Sequence, residues 1–210
     1  MEAVRAYLFD PSGLVSLAGA VFPRIHERYR EKYERMRLPQ GKEGALAAGL
    51  LLAEFAGAGP ESDLRVSGQG RPFLPEGPFF SLSHSDARVL LAVCDSMPVG
   101  ADLERIGRAD ARILRRVSPL DPEGMSERER TEEWTRVEAL LKLQGTGFYS
   151  DPKTVDRTKL FFVSGTAREV CFTVAAREPF EMELLETEFI PDDREFRIKR
   201  KSIIRKDPET

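Results

Sequence analysis

Hydrophobic and polar positions follow two different periods along the chain. Residues 3–9 (AVRAYLF) form an apolar run closed by Asp10, Pro11, Ser12 and Gly13, which predicts an opening strand. From 24 to 36, Ile25, Tyr29, Tyr33 and Met36 recur at helical spacing among charges, which predicts an amphipathic helix ended by Pro39. Residues 42–57 are apolar nearly all round and predict a buried helix. Runs at 64–67, 79–83 and 88–94 predict strands between Gly, Pro and Ser-Asp breaks, and Met97-Pro98 separates them from a further strand at 99–104. Residues 109–117 read as helical and 119–124 as a loop. The strongest helix signal covers 126–144, where Ser126 is followed three residues on by Glu129 and the run stops at Gly145 and Gly147. Strands follow near 158–164, 169–176 and 181–190. The charged stretch after Asp192 is expected to fray at its end, and its basic part, 197–206, reads either as a strand edge or as a tail.

This order predicts an α+β fold with two similar sets of elements, residues 1–97 and 98–210, although the two show no sequence repeat. A chain of 210 residues with 41% hydrophobic and 32% charged residues has enough apolar surface for a real core. The net charge of -3 gives no reason to expect a nucleic-acid binder, though a local basic patch remains able to take a small phosphorylated ligand. Cys94 and Cys171 make neither a disulfide framework nor a CxxC zinc pair, and they read as two small buried hydrophobes. The opening residues lack a signal-peptide pattern, and the most apolar stretch, 44–59, is too short and contains Glu54, so neither a leader nor a membrane span is expected. A reducing cytoplasm fits.

Three places carry candidate chemistry. Asp102 and Glu104 are two apart on a predicted strand and so share a face; two such carboxylates repel unless a proton or a cation intervenes, and magnesium suits them. Alone, the pair also reads as the polar side of an edge strand. Trp134, Glu138 and Lys142 are four apart on the predicted helix and share one face. They read either as a surface ion pair or as a third metal ligand beside a phosphate-binding lysine. Ser83, His84 and Ser85 end a strand and offer hydroxyl and imidazole donors to a phosphate, with Arg71 just upstream in Gly70-Arg71-Pro72. No Ser-His-Asp triad is evident from spacing.

Taken in order, Gly70-Arg71-Pro72-Phe73, Ser83-His84-Ser85, Val99-Gly100-Ala101-Asp102-Leu103-Glu104, and Trp134-x-x-x-Glu138-Ala139-x-x-Lys142 with Gly145-x-Gly147 resemble the phosphopantetheinyl transferase superfamily, in its longer single-chain form. The resemblance covers about residues 70–148. It implies a pseudo-twofold pair of α/β halves with the site between them. It implies transfer of 4′-phosphopantetheine from coenzyme A to a serine of an apo acyl or peptidyl carrier protein, by a monomer. It implies Asp102, Glu104 and Glu138 as magnesium ligands, Glu138 also as general base, and Lys142 as a contact to the coenzyme A phosphates. Ser83 and His84 resemble the coenzyme-binding pair, while Arg71 and Lys42 stand where the family has basic residues toward the adenine nucleotide. Val137 departs from the pattern, since the family usually has lysine just before the helix glutamate. A relative that binds coenzyme A or a carrier protein without transfer is the competing reading.

Overall fold

The computed structural model describes residues 2–85, 88–147, 151–190 and 195–204. Their order in space explains their sequence pattern. The larger sheet runs β10 (Glu195–Ile204), β9 (Phe180–Ile190), β1 (Glu2–Phe9), β5 (Arg88–Cys94), β4 (Phe79–Ser85). The smaller sheet runs β6 (Val99–Arg105), β8 (Val170–Ala176), β7 (Phe161–Ala167), and a short ladder pairs β2 (Arg65–Val66) with β3 (Pro72–Phe73). Among the described residues the α-helices are α1 (Ala18–Val21), α2 (Glu27–Arg35), α3 (Pro39–Phe55), α4 (Ala111–Val117) and α5 (Glu127–Gln144).

The layers are helix, sheet, sheet, helix. On β5, Val89, Leu91 and Val93 pack with Leu46, Leu50 and Tyr29 of the helical side. The alternate residues Leu90, Ala92 and Cys94 pack with Ala101, Phe172 and Val174 of the smaller sheet. Both faces are buried, which is why β5 reads as an unbroken apolar run rather than an alternation. Helix α3 is apolar all round for the same reason. Helix α5 covers the outer face of the smaller sheet over Ala139, Leu140, Leu143 and Ala175.

The expected cut at 97/98 falls between β5 of the larger sheet and β6 of the smaller one, and the second segment contributes strands to both sheets. β9, from the second segment, pairs in parallel with β1 over Glu2–Phe9, and β10 extends the same sheet. The reason is burial: Met182 and Leu184 of β9 complete the inter-sheet core that Val4, Ala6 and Leu8 begin.

Other boundaries move for local reasons. Helix α3 starts at Pro39, because proline at the first helical position lacks only an N–H the helix would not use. β7 starts at Phe161 because Asp156 caps a 3-10 turn at Arg157–Lys159. Residues 195–204 are an edge strand: Arg197 and Lys199 pair with Glu188, and Lys201 with Glu183. Residues 205–206 of the basic stretch, the Ser-Asp break at 85–86 beyond Ser85, and residue 148 at the end of the resemblance lie outside the described residues. Both cysteines are free and buried. Among the described residues no helix is long and apolar enough to cross a membrane.

Candidate functional site

The site forms where the free edges of β4 and β6 meet beneath α5. Helix α5 is fixed at its start by the Ser126–Glu129 capping box and at its end by Gly145 in the left-handed region. It lies against β6 at a distance that only glycine permits. A Cβ at Gly100 would sit 2.0 Å from the Ala139 carbonyl oxygen and 2.5 Å from the Leu143 nitrogen. Gly100, Asp102 and Glu104 are at alternate positions of one strand, so the face that admits the helix also carries both carboxylates. Between those two contact residues in the chain, Lys142 places its ammonium 2.7 Å from Asp102 Oδ1, and the Asp102 side chain is 8% exposed.

The β4–β6 junction is made by side chains. Ala101 N–H donates to Ser81 Oγ at 2.8 Å, Ser83 Oγ donates to Asp102 Oδ1 at 2.7 Å, and Ser85 Oγ donates to Glu104. The three serines occupy alternate positions of β4 and turn to one face. Ser83, which resembles a coenzyme-binding residue, is buried with its hydroxyl on the carboxylate side. His84 turns the other way, to a cavity.

That cavity, of about 400 Å³, opens between α2, the residues before β3, β4 and α5. Arg28, Lys32, Arg71, His84 and Lys142 line it, with Glu138 as its acid. Arg28 and Lys32 were not foreseen. They lie one turn apart on α2, whose start is capped by His26, the other histidine. Like charges at that spacing repel along a helix, and neither forms an ion pair with a described residue. The sequence did contain the signal, two cations on one face of an amphipathic helix, but nothing in it pointed that face at His84. Lys42 does not line the cavity; its ammonium lies 4.8 Å from the centre of the Tyr33 ring.

Arg71 lines the cavity, but its guanidinium faces main chain. It donates to the carbonyls of Lys142 at 2.8 Å and of Phe80 and Val99 at 3.1 Å. Val137 is fully buried, so the position that departs from the family pattern points into packed protein.

The electrostatics divide the site into an acidic and a basic side. Burial raises the pKa of Asp102, against the lowering influence of Lys142 and Ser83. Burial, with the nearby Asp102 charge, raises Glu138 as well. On the basic side, burial and then Arg28 lower Lys32. Partial burial, then Lys32 and Lys142, lowers His84, although its ring keeps an exposed edge. Each side thus holds like charges closer together than water would favour. Lys142 touches both.

Among the described residues, no three His, Cys, Asp or Glu side chains come close enough to hold a metal ion by themselves. Asp102, Glu104 and Glu138 sense one another electrostatically without closing into a cage. Compared with known proteins, the chain matches no protein-family model and no curated protein significantly.

Proposed function

We propose that this chain is a phosphopantetheinyl transferase. It moves the 4′-phosphopantetheine arm of coenzyme A to a serine hydroxyl of an apo acyl or peptidyl carrier protein and releases 3′,5′-ADP. The observation that carries this reading is the adjacency of a cation-lined cavity and the buried Asp102, joined by Lys142. The diphosphate and the 3′-phosphate of coenzyme A together have the charge to meet Arg28, Lys32 and Lys142, and the neutral His84 ring can donate a hydrogen bond to a phosphate oxygen.

Magnesium fits this donor set. Burial raises the pKa of Asp102 and Glu138, a divalent cation beside them would favour their charged forms, and hard oxygens suit a hard cation. An open set also agrees with magnesium's habit of using one or two carboxylates with substrate phosphate oxygens rather than a closed protein cage. Asp102, Glu104 and Glu138 would hold it, and when bound it would neutralise charge that develops on the diphosphate.

The chain's own residues supply the rest. Lys142 stands between Asp102 and the cavity, where its ammonium counters charge on the leaving nucleotide. Glu138 lines the cavity, and its raised pKa suits it to accept the proton of the carrier serine as that oxygen attacks the β-phosphorus. The bond from that phosphorus to the bridging oxygen breaks, and 3′,5′-ADP carries the oxygen away. In this reading the two α/β sets are related by a pseudo-twofold axis, the chain acts as a monomer, and it works in the cytoplasm.

The test mixes the protein with coenzyme A, magnesium and an apo carrier protein and measures release of 3′,5′-ADP. Release that is lost in Asp102→Ala supports transfer. Coenzyme A binding without release, across several carriers, overturns it in favour of a binding-only relative.

A further inference from the structure

The segment between β2 and β3 places Arg71 at a three-way junction. The carbonyl of Lys142 lies in the last turn of α5, where main-chain oxygens have no partner within the helix. Phe80 lies near the start of β4, and Val99 opens β6. Arg71 Nη1 takes the first carbonyl, and Nη2 takes the other two. Three of the five N–H donors of the guanidinium are therefore directed at the protein.

Those three carbonyls belong to the elements that build the site. β4 carries His84 and the serines, β6 carries Asp102 and Glu104, and α5 carries Glu138 and Lys142. β4 and β6 are edge strands of different sheets. The serine contacts fix how far one strand slides along the other, but none of them reaches α5. The Arg71 guanidinium spans all three elements at once. It is planar and forked, so it holds three acceptors in a fixed arrangement, which the single point of a lysine ammonium does not do.

We infer that Arg71 is a positioning residue: its guanidinium clamps the end of α5 to the β4–β6 junction and thereby sets Lys142 against Asp102. The inference rests on the transferase reading for its kinetic consequence and on geometry alone for the clamp.

Full-length Arg71→Lys and Arg71→Met separate a clamp from a phosphate contact. A clamp predicts that both variants lose kcat by roughly 10- to 100-fold, since a displacement near 1 Å at a catalytic group has that effect. Calorimetric affinity for coenzyme A should fall by clearly less than kcat, because a displaced Lys142 weakens one phosphate contact while the alignment of the reacting groups is lost with it. A phosphate contact predicts the reverse: Arg71→Lys keeps its charge and restores activity, while Arg71→Met weakens coenzyme A binding with kcat unchanged. That result overturns the inference.

Amide hydrogen exchange keeps the two claims distinguishable. If the wild-type chain transfers nothing, the functional reading fails on its own. The clamp still predicts faster exchange at the Ala101 amide and in the last turn of α5 in both variants, with the interior of α3 unchanged. Should Arg71→Met fail to fold, Arg71→Lys carries the comparison. Wild-type exchange at these amides in Arg71→Lys would overturn the clamp.

Discussion

Gly100→Ala tests the packing that brings the acidic strand to the helix. The added Cβ would meet the Ala139 carbonyl oxygen at 2.0 Å, the Leu143 nitrogen at 2.5 Å and Leu143 Cβ at 2.8 Å. Two of the three neighbours are helix backbone, so no rotamer change relieves the clash. To restore an ordinary contact of 3.4 Å from 2.0 Å, α5 must retreat by about 1.4 Å, which is the difference between those distances. Overpacking of this kind costs about 3 kcal/mol, the upper end of its usual range, because the obstruction is main chain. For a chain of this size that lowers Tm by roughly 6–12 °C. The same retreat carries Lys142 away from Asp102, whose 2.7 Å contact has little slack. Transfer should fall about 100-fold even at temperatures where the variant stays folded. Calorimetric melting and the nucleotide-release assay at 15 °C below the variant's Tm (about that margin suffices for a folded population) read the two effects separately. A variant with wild-type Tm and wild-type transfer would refute the claimed approach of α5 to β6.

Four further outcomes follow from named contacts. His84 should titrate below 6.5 by proton NMR, and Lys32→Met should raise its midpoint by removing one of the charges that lowers it. The sign for stability is that the unfolded chain binds this proton at higher pH than the folded chain, so the contribution grows as pH rises through the window below 6.5; a midpoint at or above 6.5 contradicts the geometry. Arg157→Met should destabilise the fold by about 3 kcal/mol in denaturant titration, because it strands the Glu133 carboxylate, which is 3% exposed and 2.8 Å from Arg157. The double variant with Glu133→Gln should recover part of that loss, and additive losses would sink the reasoning. Ser83→Ala removes the hydroxyl that donates to buried Asp102 and should cost about 1–2 kcal/mol, whereas an exposed serine would cost almost nothing. Lys32→Met should weaken coenzyme A binding about tenfold in calorimetry at low salt, with the difference shrinking as salt is added.

Much of the fold was legible because local signals and tertiary needs agreed. The Ser126 and Glu129 capping pair marked α5, and the period of two placed Asp102 and Glu104 on one face, where the structure puts both against β4 serines. The Arg and Lys residues of β10 suit a strand edge and a solvated tail equally until Glu183 and Glu188 on β9 are seen beside them. The exchange of β9 into the first sheet was hidden because it depends on which apolar face is left uncovered, a property of the assembled core. At the site, spacing put Asp102 and Glu104 on one strand face and Glu138 and Lys142 on one helix face, but it did not show which groups the other polar side chains meet. Ser83 and Arg71 have the donors a phosphate wants, yet both turn them to nearer acceptors inside the protein. Arg28 and Lys32 looked like ordinary surface charges because their significance comes from β4 and α5, distant in sequence.

A crystal structure of the chain with coenzyme A and magnesium tests the central claim most directly. The account predicts the diphosphate in the cavity between α2, β4 and α5, within hydrogen-bond reach of Lys142, His84 and Lys32, with the metal between the phosphates and Asp102. Coenzyme A bound elsewhere on the protein, or seated with its diphosphate away from those side chains, would contradict it.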